Sequence, residues 1–361
     1  MSKQNIHVVM CGGGTLGPVT PLLAVAREIR KRAPAAEITW IGTKDGPEQS
    51  LVKEELIPFH AISAGKLRRY FSLRNFTDHF RVIAGFFQAR RLLRELKPDV
   101  IVTAGGFVAV PVVWAAGLAR IPVHVHQQDI QPGLANRLSL PYASSLSVAL
   151  EASLSAFPNH HPVWTGNPVR LDLYSGTREE AKRIFHLEDG IPTVLVLGGG
   201  TGAVGLNELV RGALPQITRT AQVIHVTGIG KQVGGDASRY HQYEFLTSEL
   251  KHAFACAEVV VTRAGMGTLM ELAALGLPAM IVPMPNSHQE ENAKLFVKNG
   301  AATVLDQQST SSQAFADAVL NLLADDARLD KMCDMMRRMN RHNADTNIAE
   351  IIIKTAEQMK E

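Results

Sequence analysis

Apolar residues fall in short runs along this chain, and each run is followed by a stretch with helical spacing. In the first half the runs are "IHVVMC" (6–11), "EITWIGT" (37–43), "DVIVTAG" (99–105), "IPVHVH" (121–126) and "SLSVAL" (145–150). Between them lie "PLLAVAREIRKR" (21–32), the long stretch 76–96 and "AVPVVWAAGLAR" (109–120). This alternation predicts a parallel, doubly wound α/β sheet, because every parallel strand needs a crossover. The segment "NHHPVWTGNPVRLD" (159–172), rich in prolines and turn residues, reads as the end of one domain and a linker. The pattern then restarts with "TVLVLGGGTGAVGLNELV" (193–210) and continues through "AQVIHVTG", "QYEFL", "EVVVTRAG", "PAMIVPM" and "AATVLD". Helices are expected at 267–275 and 289–297 and throughout the tail from Gln313. In 343–360 the apolar residues Ile348, Ile351, Ile352, Ala356 and Met359 keep helical spacing.

Two strand–loop–helix units carry similar glycine turns, "GGGTLG" from Gly12 and "GGGTGA" from Gly198. Glycine lets backbone N–H groups approach a ligand, and the helix that follows favours negative charge at its start. Glycines at such turns also serve plain strand–helix packing. Their repetition in two units favours a phosphate or pyrophosphate, with a cleft between the domains as the default site. Neither loop continues into Lys-Ser/Thr, which excludes a P-loop. A dinucleotide site wants an acid at the tip of the second strand. Thr43 stands there with Asp45 beyond it, and "IHVTGIG" ends without an acid. NAD and ATP hydrolysis lose ground and a sugar nucleotide gains.

Composition changes this picture little. The 361 residues suit two domains, 46% hydrophobic content suits real cores, and a net charge of +3 points to no particular partner. Cys11, Cys256 and Cys333 show no metal-binding spacing, so a reduced, intracellular chain without a metal or other cofactor is expected. The first ten residues are too short and polar for a signal peptide, and no apolar run nears the ~20 residues of a spanning helix. Residues 66–97 stand apart. They hold nine Lys/Arg against Asp78 and Glu95, with Tyr70, Phe71, Phe76, Phe80, Phe86 and Phe87 interleaved. Such a stretch suits an anionic membrane surface, and equally a core helix with a solvated basic face or a phosphate grip on RNA.

The chemistry-bearing positions of the second half fall after predicted strands. Arg263 precedes a glycine turn. Gly267 and Thr268 open a helix carrying Glu271, where amides face a pyrophosphate and the carboxylate can accept from a ribose diol. His288, Gln289 and Asn292 share a helix start and suit sugar hydroxyls. Taken singly, Glu271 also reads as a solvated helix residue and His288 as a surface N-cap.

In order and spacing, these segments resemble one family, the bacterial MurG peptidoglycan glycosyltransferases. The resemblance runs through "GGTLGPVTPLLAVA", "WIGTKDGPEQSLV", "GKLRRY", "KPDVIVTAGGFVAVPVVWAA", "IPVHVHQQDIQPGLANRL", "TGNPVR", "LGGGTGAVGLNEL", "TRAGMGTLMELAALGLPAMIVP" and "HQEENA". It implies a GT-B architecture of two doubly wound Rossmann-like domains facing across a cleft. Residues 1–165 would bind the acceptor and face the membrane, 166–342 would bind UDP-GlcNAc, and 343–361 would return as a helix to the first domain. The implied reaction is inverting transfer of N-acetylglucosamine from UDP-GlcNAc to the C4 hydroxyl of undecaprenyl-linked lipid I, giving lipid II. That places the chain peripherally on the cytoplasmic side of the cell membrane, without nucleic acid.

Carried over position by position, the resemblance assigns the donor to Arg170, Gly200, Thr201, Leu246, Arg263, Gly267, Thr268, Glu271, His288, Gln289 and Asn292. The acceptor, with its pyrophosphate, falls to Gly13, Gly14, Thr15, Gly105, Gly106, Gln127 and Asn136. Three departures stand out. The family motif GGTxGHxxP has histidine where this chain has Pro18, which has no titratable group and suits the first turn of a helix. The family's His-Glu-Gln-Asn is His126, Gln127, Gln128 and Asp129 here. The usual Ser-Gln at the second glycine turn is Gly200 and Thr201. With the histidine gone, Asp129 and His126 are the candidate bases, while a strand-end histidine satisfied by its neighbours is the plainer reading of His126. These departures leave two other readings open, a GT-B enzyme with another lipid acceptor such as diacylglycerol and a non-catalytic UDP-sugar-binding relative.

Overall fold

The computed structural model describes residues 5–65, 74–199, 202–234 and 237–360. The chain forms two units, Met1–Val169 with Arg341–Glu361, and Arg170–Asn340. In the first, seven parallel strands are β1 (His7–Cys11), β2 (Glu37–Thr43), β3 (Phe59–Ile62), β4 (Val100–Thr103), β5 (Val123–Gln127), β6 (Ser145–Val148) and β7 (Val163–Trp164), ordered β3-β2-β1-β4-β5-β6-β7. The second has β8 (Thr193–Leu197), β9 (Gln222–Val226), β10 (Tyr240–Tyr243), β11 (Val259–Thr262), β12 (Ala279–Ile281) and β13 (Ala302–Val304), ordered β10-β9-β8-β11-β12-β13. Both are doubly wound, and the strand order reverses beside β1 in one and β8 in the other. Ligands of such sheets gather at the carboxyl ends of the strands next to that point.

Alternation along β1 explains the layers. Val8 and Met10 face a core completed by the helix Thr20–Arg32 and, from the other end of the chain, by Ile348, Ala349, Ile352 and Ala356. Val9 and Cys11 face the opposite core, which Leu93, Val112 and Val113 complete. The returning helix Ala344–Gln358 is also clasped by charge. Arg32 pairs with Glu350 at 2.9 Å, and the Thr346 hydroxyl donates to Glu28 at 3.3 Å. Each buried isoleucine of that helix stabilises the unit by roughly 1.5–3 kcal/mol.

Some elements differ from the pattern-based expectation. β3, interrupted by His60, and β7, two residues between Pro162 and a Thr-Gly turn, lack a continuous apolar run. The expected strand "QYEFL" ends at Tyr243, so Leu246 lies beyond it, buried. The helix Thr20–Arg32 starts two residues after Pro18 and carries Pro21 in its first turn. Pro18 sits instead in the preceding turn, where its ring packs beside Gly106. Among the described residues no helix is long and apolar enough to cross a membrane.

Candidate functional site

In the second unit, the helix Met266–Leu275 begins directly after β11. Its N-cap is Gly265, with no side-chain cap. A Cβ built on Gly265 or on Gly267 meets nothing within 4 Å. The first amides of this helix, those of Met266, Gly267 and Thr268, lack intrahelical acceptors beside the open space at Gly265 and Gly267, an arrangement that suits an anion. One turn on, Glu271 Oε1 accepts from Arg170 Nε at 3.1 Å. Burial raises the Glu271 carboxyl above the usual carboxylate range against the pull of Arg170. A partly buried carboxylate next to an uncapped helix start can take a diol and a diphosphate together.

The other donor-side candidates divide. His288 is exposed at the N-cap of the helix Gln289–Lys298, and Gln289 Oε1 accepts from the Met284 N–H at 3.0 Å. Gly200 and Thr201 lie outside the described residues. Two assignments need correction. Arg263 is buried and donates to the carbonyls of Val282 (2.9 Å) and Pro283 (3.0 Å) and to Gln307 Oε1, so its guanidinium braces β12 rather than facing a diphosphate. Asn292 is fully buried, and its amide donates to the Ala264 carbonyl at 3.0 Å. It shapes the loop after β11 from behind and has no face for a sugar.

In the first unit, the two glycine turns meet. Gly105 and Gly106 take left-handed φ values of 103° and 87°, and a Cβ on Gly106 would lie 2.7 Å from the Gly13 carbonyl. Thr15 is exposed beside them. Gly14 is not an open amide as expected, because its N–H donates to Glu48 Oε2 at 3.1 Å. Gln127 and Asn136 are buried together. Gln127 donates to the carbonyls of Asp129 (2.6 Å) and Gln131 (3.1 Å), while its Oε1 accepts from Asn136 Nδ2 at 2.6 Å. That chain fixes the Asn136 amide and leaves its Oδ1 buried without a donor, next to Gly105.

His126 is corrected as a candidate base. It is fully buried, its Nδ1 is 2.9 Å from Ser147 Oγ and its Nε2 3.1 Å from Asn167 Oδ1. Asn167 Nδ2 donates to the Pro168 carbonyl, so Oδ1 accepts and Nε2 carries the proton. The Ser147 hydroxyl then donates to Nδ1, and it accepts in turn from His124 Nε2 at 2.9 Å. Burial lowers His126 to about 4. With both nitrogens engaged, it cannot take a substrate proton. Asp129 keeps its candidacy from a partly exposed position.

Four organising residues escaped the sequence reading: Glu48, Gln128, Asn207 and Lys231. Gln128 Nε2 donates to the Gly17 carbonyl at 3.1 Å. Asn207 donates to the carbonyls of Thr227 (3.0 Å) and Lys231 (3.1 Å), and Lys231 Nζ reaches the Gly202 carbonyl at 3.4 Å. The signal for Glu48 was present, since a Gly-Pro turn after β2 places an acid at a helix start.

Comparison with known proteins follows this geometry closely. Residues 8–148 match the glycosyltransferase family 28 N-terminal domain, and residues 193–350 its C-terminal domain. A Clostridium tetani protein named UDP-N-acetylglucosamine–N-acetylmuramyl-(pentapeptide) pyrophosphoryl-undecaprenol N-acetylglucosamine transferase is 38% identical over 353 residues, covering 96% of this chain and 97% of that one. The chain belongs to the MurG family. A Lachnoclostridium phytofermentans MurG-family protein of the same name is likewise 38% identical, over 96% of this chain and 98% of its own. The crystal structure of Acinetobacter baumannii MurG superposes with a TM-score of 0.72 at 26% identity, covering 97% of this chain and 99% of that one. The fold is shared more widely. A Neisseria meningitidis UDP-GlcNAc 2-epimerase gives a TM-score of 0.73 at 14% identity, over 97% of this chain and all (100%) of the epimerase. Against the MurG pattern, the buried His126 and the braced Arg263 take scaffold positions around two glycine-rich sites.

Proposed function

We propose that this protein transfers N-acetylglucosamine from UDP-GlcNAc to the C4 hydroxyl of lipid I, with inversion, giving lipid II. The observation that carries the reading is the open, uncapped start of the helix Met266–Leu275 with Glu271 one turn inside it, in a chain of the MurG family. UDP would place its diphosphate against the amides of Gly267 and Thr268 and its ribose against Glu271. The positive helix end stabilises the charge that develops on the departing diphosphate. Leu246 follows β10 and His288 and Gln289 follow β12, at the carboxyl side of the same sheet, and they suit the base and the sugar. Gly200 and Thr201 complete the donor set by resemblance alone.

The acceptor is assigned to the first unit, at Gly13, Thr15 and the Gly105–Gly106 turn. The donorless Asn136 Oδ1 supports this reading, because a hydroxyl or amide of a ligand, or a water, can satisfy it. Asp129 is the proposed base that takes the proton of the attacking hydroxyl. On the helix Arg74–Leu96, Phe80, Ile83 and Phe87 are 66%, 54% and 59% exposed, and Arg81, Arg91 and Arg94 are exposed beside them. The rest of the basic stretch, 66–73, and the side chains of 74–79 lie outside the described residues. An apolar strip flanked by cations supports peripheral docking on an anionic membrane, from the cytoplasmic side.

The test is incubation with UDP-GlcNAc and a lipid I analogue, scoring GlcNAc-bearing product and UDP. Binding of UDP-GlcNAc without product marks a non-catalytic relative. Product only with a different lipid, such as diacylglycerol, moves the acceptor assignment. Asp129→Ala is expected to lower turnover about 100-fold with donor affinity little changed, and normal turnover removes Asp129 from the mechanism. Binding to vesicles should rise with anionic lipid content, and indifference to it would remove the membrane reading.

A further inference from the structure

Glu48 opens the helix Glu48–Glu54 and is fully buried. Its Oε1 accepts from the Thr43 N–H at 2.7 Å and from the Thr43 hydroxyl. Its Oε2 accepts from the Gly14 N–H at 3.1 Å. Among the described residues no cation pairs with it. A buried carboxylate without a cation persists only where donors satisfy it, and here two backbone amides and a hydroxyl do so at the start of a helix. The surroundings are moulded to the group. A Cβ on Gly13 would lie 2.2 Å from Oε1, and one on Gly46 2.1 Å from Oε2. The glycine loop thus needs its glycine at 13 for the sake of Glu48, whatever ligand it meets.

A second tie holds the far end of the same loop. The buried Gln128 donates to the Gly17 carbonyl at 3.1 Å, from the segment that also carries Asp129. Residues 12–17 are therefore held at one end to the tip of β2 and at the other to the segment bearing the candidate base.

We infer that Glu48 is a positioning residue for the acceptor, holding the loop 12–17 in register with the Gly105–Gly106 turn and the segment bearing Asp129. It touches no substrate itself, since none of its surface is exposed. The inference rests on the assignment of the acceptor to the first unit. It differs from a general stabilising role in what it leaves untouched, because donor affinity resides in the other unit.

The test uses the full-length protein with UDP-GlcNAc and a lipid I analogue. Glu48→Gln keeps the size of the side chain, but either orientation of its amide sets an NH2 group against the Thr43 or the Gly14 N–H. It is expected to lower kcat/KM for the acceptor about 100-fold while the Kd for UDP-GlcNAc moves less than ~2-fold. Thr43→Val removes one of the three donors and should cost about 10-fold on the acceptor side, whereas Thr43→Ser, which keeps the hydroxyl, should restore most of it. The Thr43 pair decides the matter if Glu48→Gln fails to fold. Normal acceptor kinetics in a folded Glu48→Gln protein or, where that variant fails to fold, equal activity of Thr43→Val and Thr43→Ser would overturn the inference alone. A parallel loss of donor affinity would also overturn it, by showing a general structural role. Wild-type protein that binds UDP-GlcNAc but transfers nothing to the lipid acceptor would overturn the functional reading, and this inference with it.

Discussion

In the first unit the turn after β1 gives its Gly14 N–H to the buried carboxylate of Glu48, whereas in the second the turn after β8 gives its Gly202 carbonyl to the ammonium of Lys231. The strand orders around the two turns match, and each organising residue follows its second strand at the same interval, Thr43 to Glu48 and Val226 to Lys231. The sign of one side chain separates them. A carboxylate consumes an amide and adds negative charge behind the loop. An ammonium consumes a carbonyl and adds positive charge behind the loop. Two loops with the same fold and similar sequence thus carry side chains of opposite charge behind them, which is the electrostatic ground for proposing the second as host for a nucleotide diphosphate. The comparison also shows why glycine patterns alone do not name a ligand.

The largest effect should come from dismantling one unit. Ile352 is fully buried against the sheet of the first unit, so Ile352→Asp, which buries an unpaired charge, should cost more than ~4 kcal/mol. All three tryptophans, Trp40, Trp114 and Trp164, lie in that unit. Their fluorescence should report its unfolding while UDP-GlcNAc binding by the second unit survives; joint loss of both would break the comparison. Next, Glu271→Ala should lower kcat/KM for the donor about 100-fold, near 3 kcal/mol, with the tryptophan-monitored unfolding unchanged.

A comparable effect concerns pH. Burial holds His124 at about 3 and His126 at about 4 in the first unit, and His225 at about 4 in the second. The unfolded chain binds protons on these rings below pH ~6.5 that the folded chain refuses. Their contribution is fully present above ~6.5 and is lost as pH falls toward 4, at roughly 1.4 kcal/mol per pH unit for each ring. Urea unfolding at pH 7.5 and pH 5 should show the larger loss by tryptophan fluorescence, which follows the unit with two such rings. An unchanged midpoint would show that these histidines are protonated in the folded state. The smallest effect is Lys231→Ala, which should weaken UDP-GlcNAc binding about 3- to 10-fold and leave the acceptor KM alone. An acceptor effect as large as the donor effect would remove the distinction between the loops.

Much of the fold was legible. Near-continuous apolar runs such as 8–11 and 194–197 mark strands buried on both faces, and helical spacing marked 343–360 as amphipathic. The strands Phe59–Ile62 and Val163–Trp164 were not, since Pro58 and His60 break up the first and Pro162 and a Thr-Gly turn flank the two residues of the second, so neither shows a continuous apolar run. The helix Arg178–Phe185 had a readable start, with Thr177 accepting from the Glu180 N–H at 3.3 Å, but it lies between the segment read as linker, 159–172, and the restart of the pattern at Thr193, where no element was read. The acid at the tip of β2 was sought at Thr43 and Asp45. It comes from Glu48, which a helix turn brings back onto Thr43. The case against a dinucleotide in this unit therefore rests on that acid being buried and spent on protein donors.

By itself the sequence determined the alternation of strands and helices, the place of both glycine turns after their strands, and the family motifs around them, because these depend on neighbours along the chain. Only the tertiary structure decided what the polar side chains at those turns do. Glu48 meets Gly14 across 34 residues, His126 meets Asn167 across 41, and Asn292 meets Ala264 across 28. A buried polar group takes whichever partner the packed chain sets within 3 Å or so, and no local pattern in the sequence records that choice.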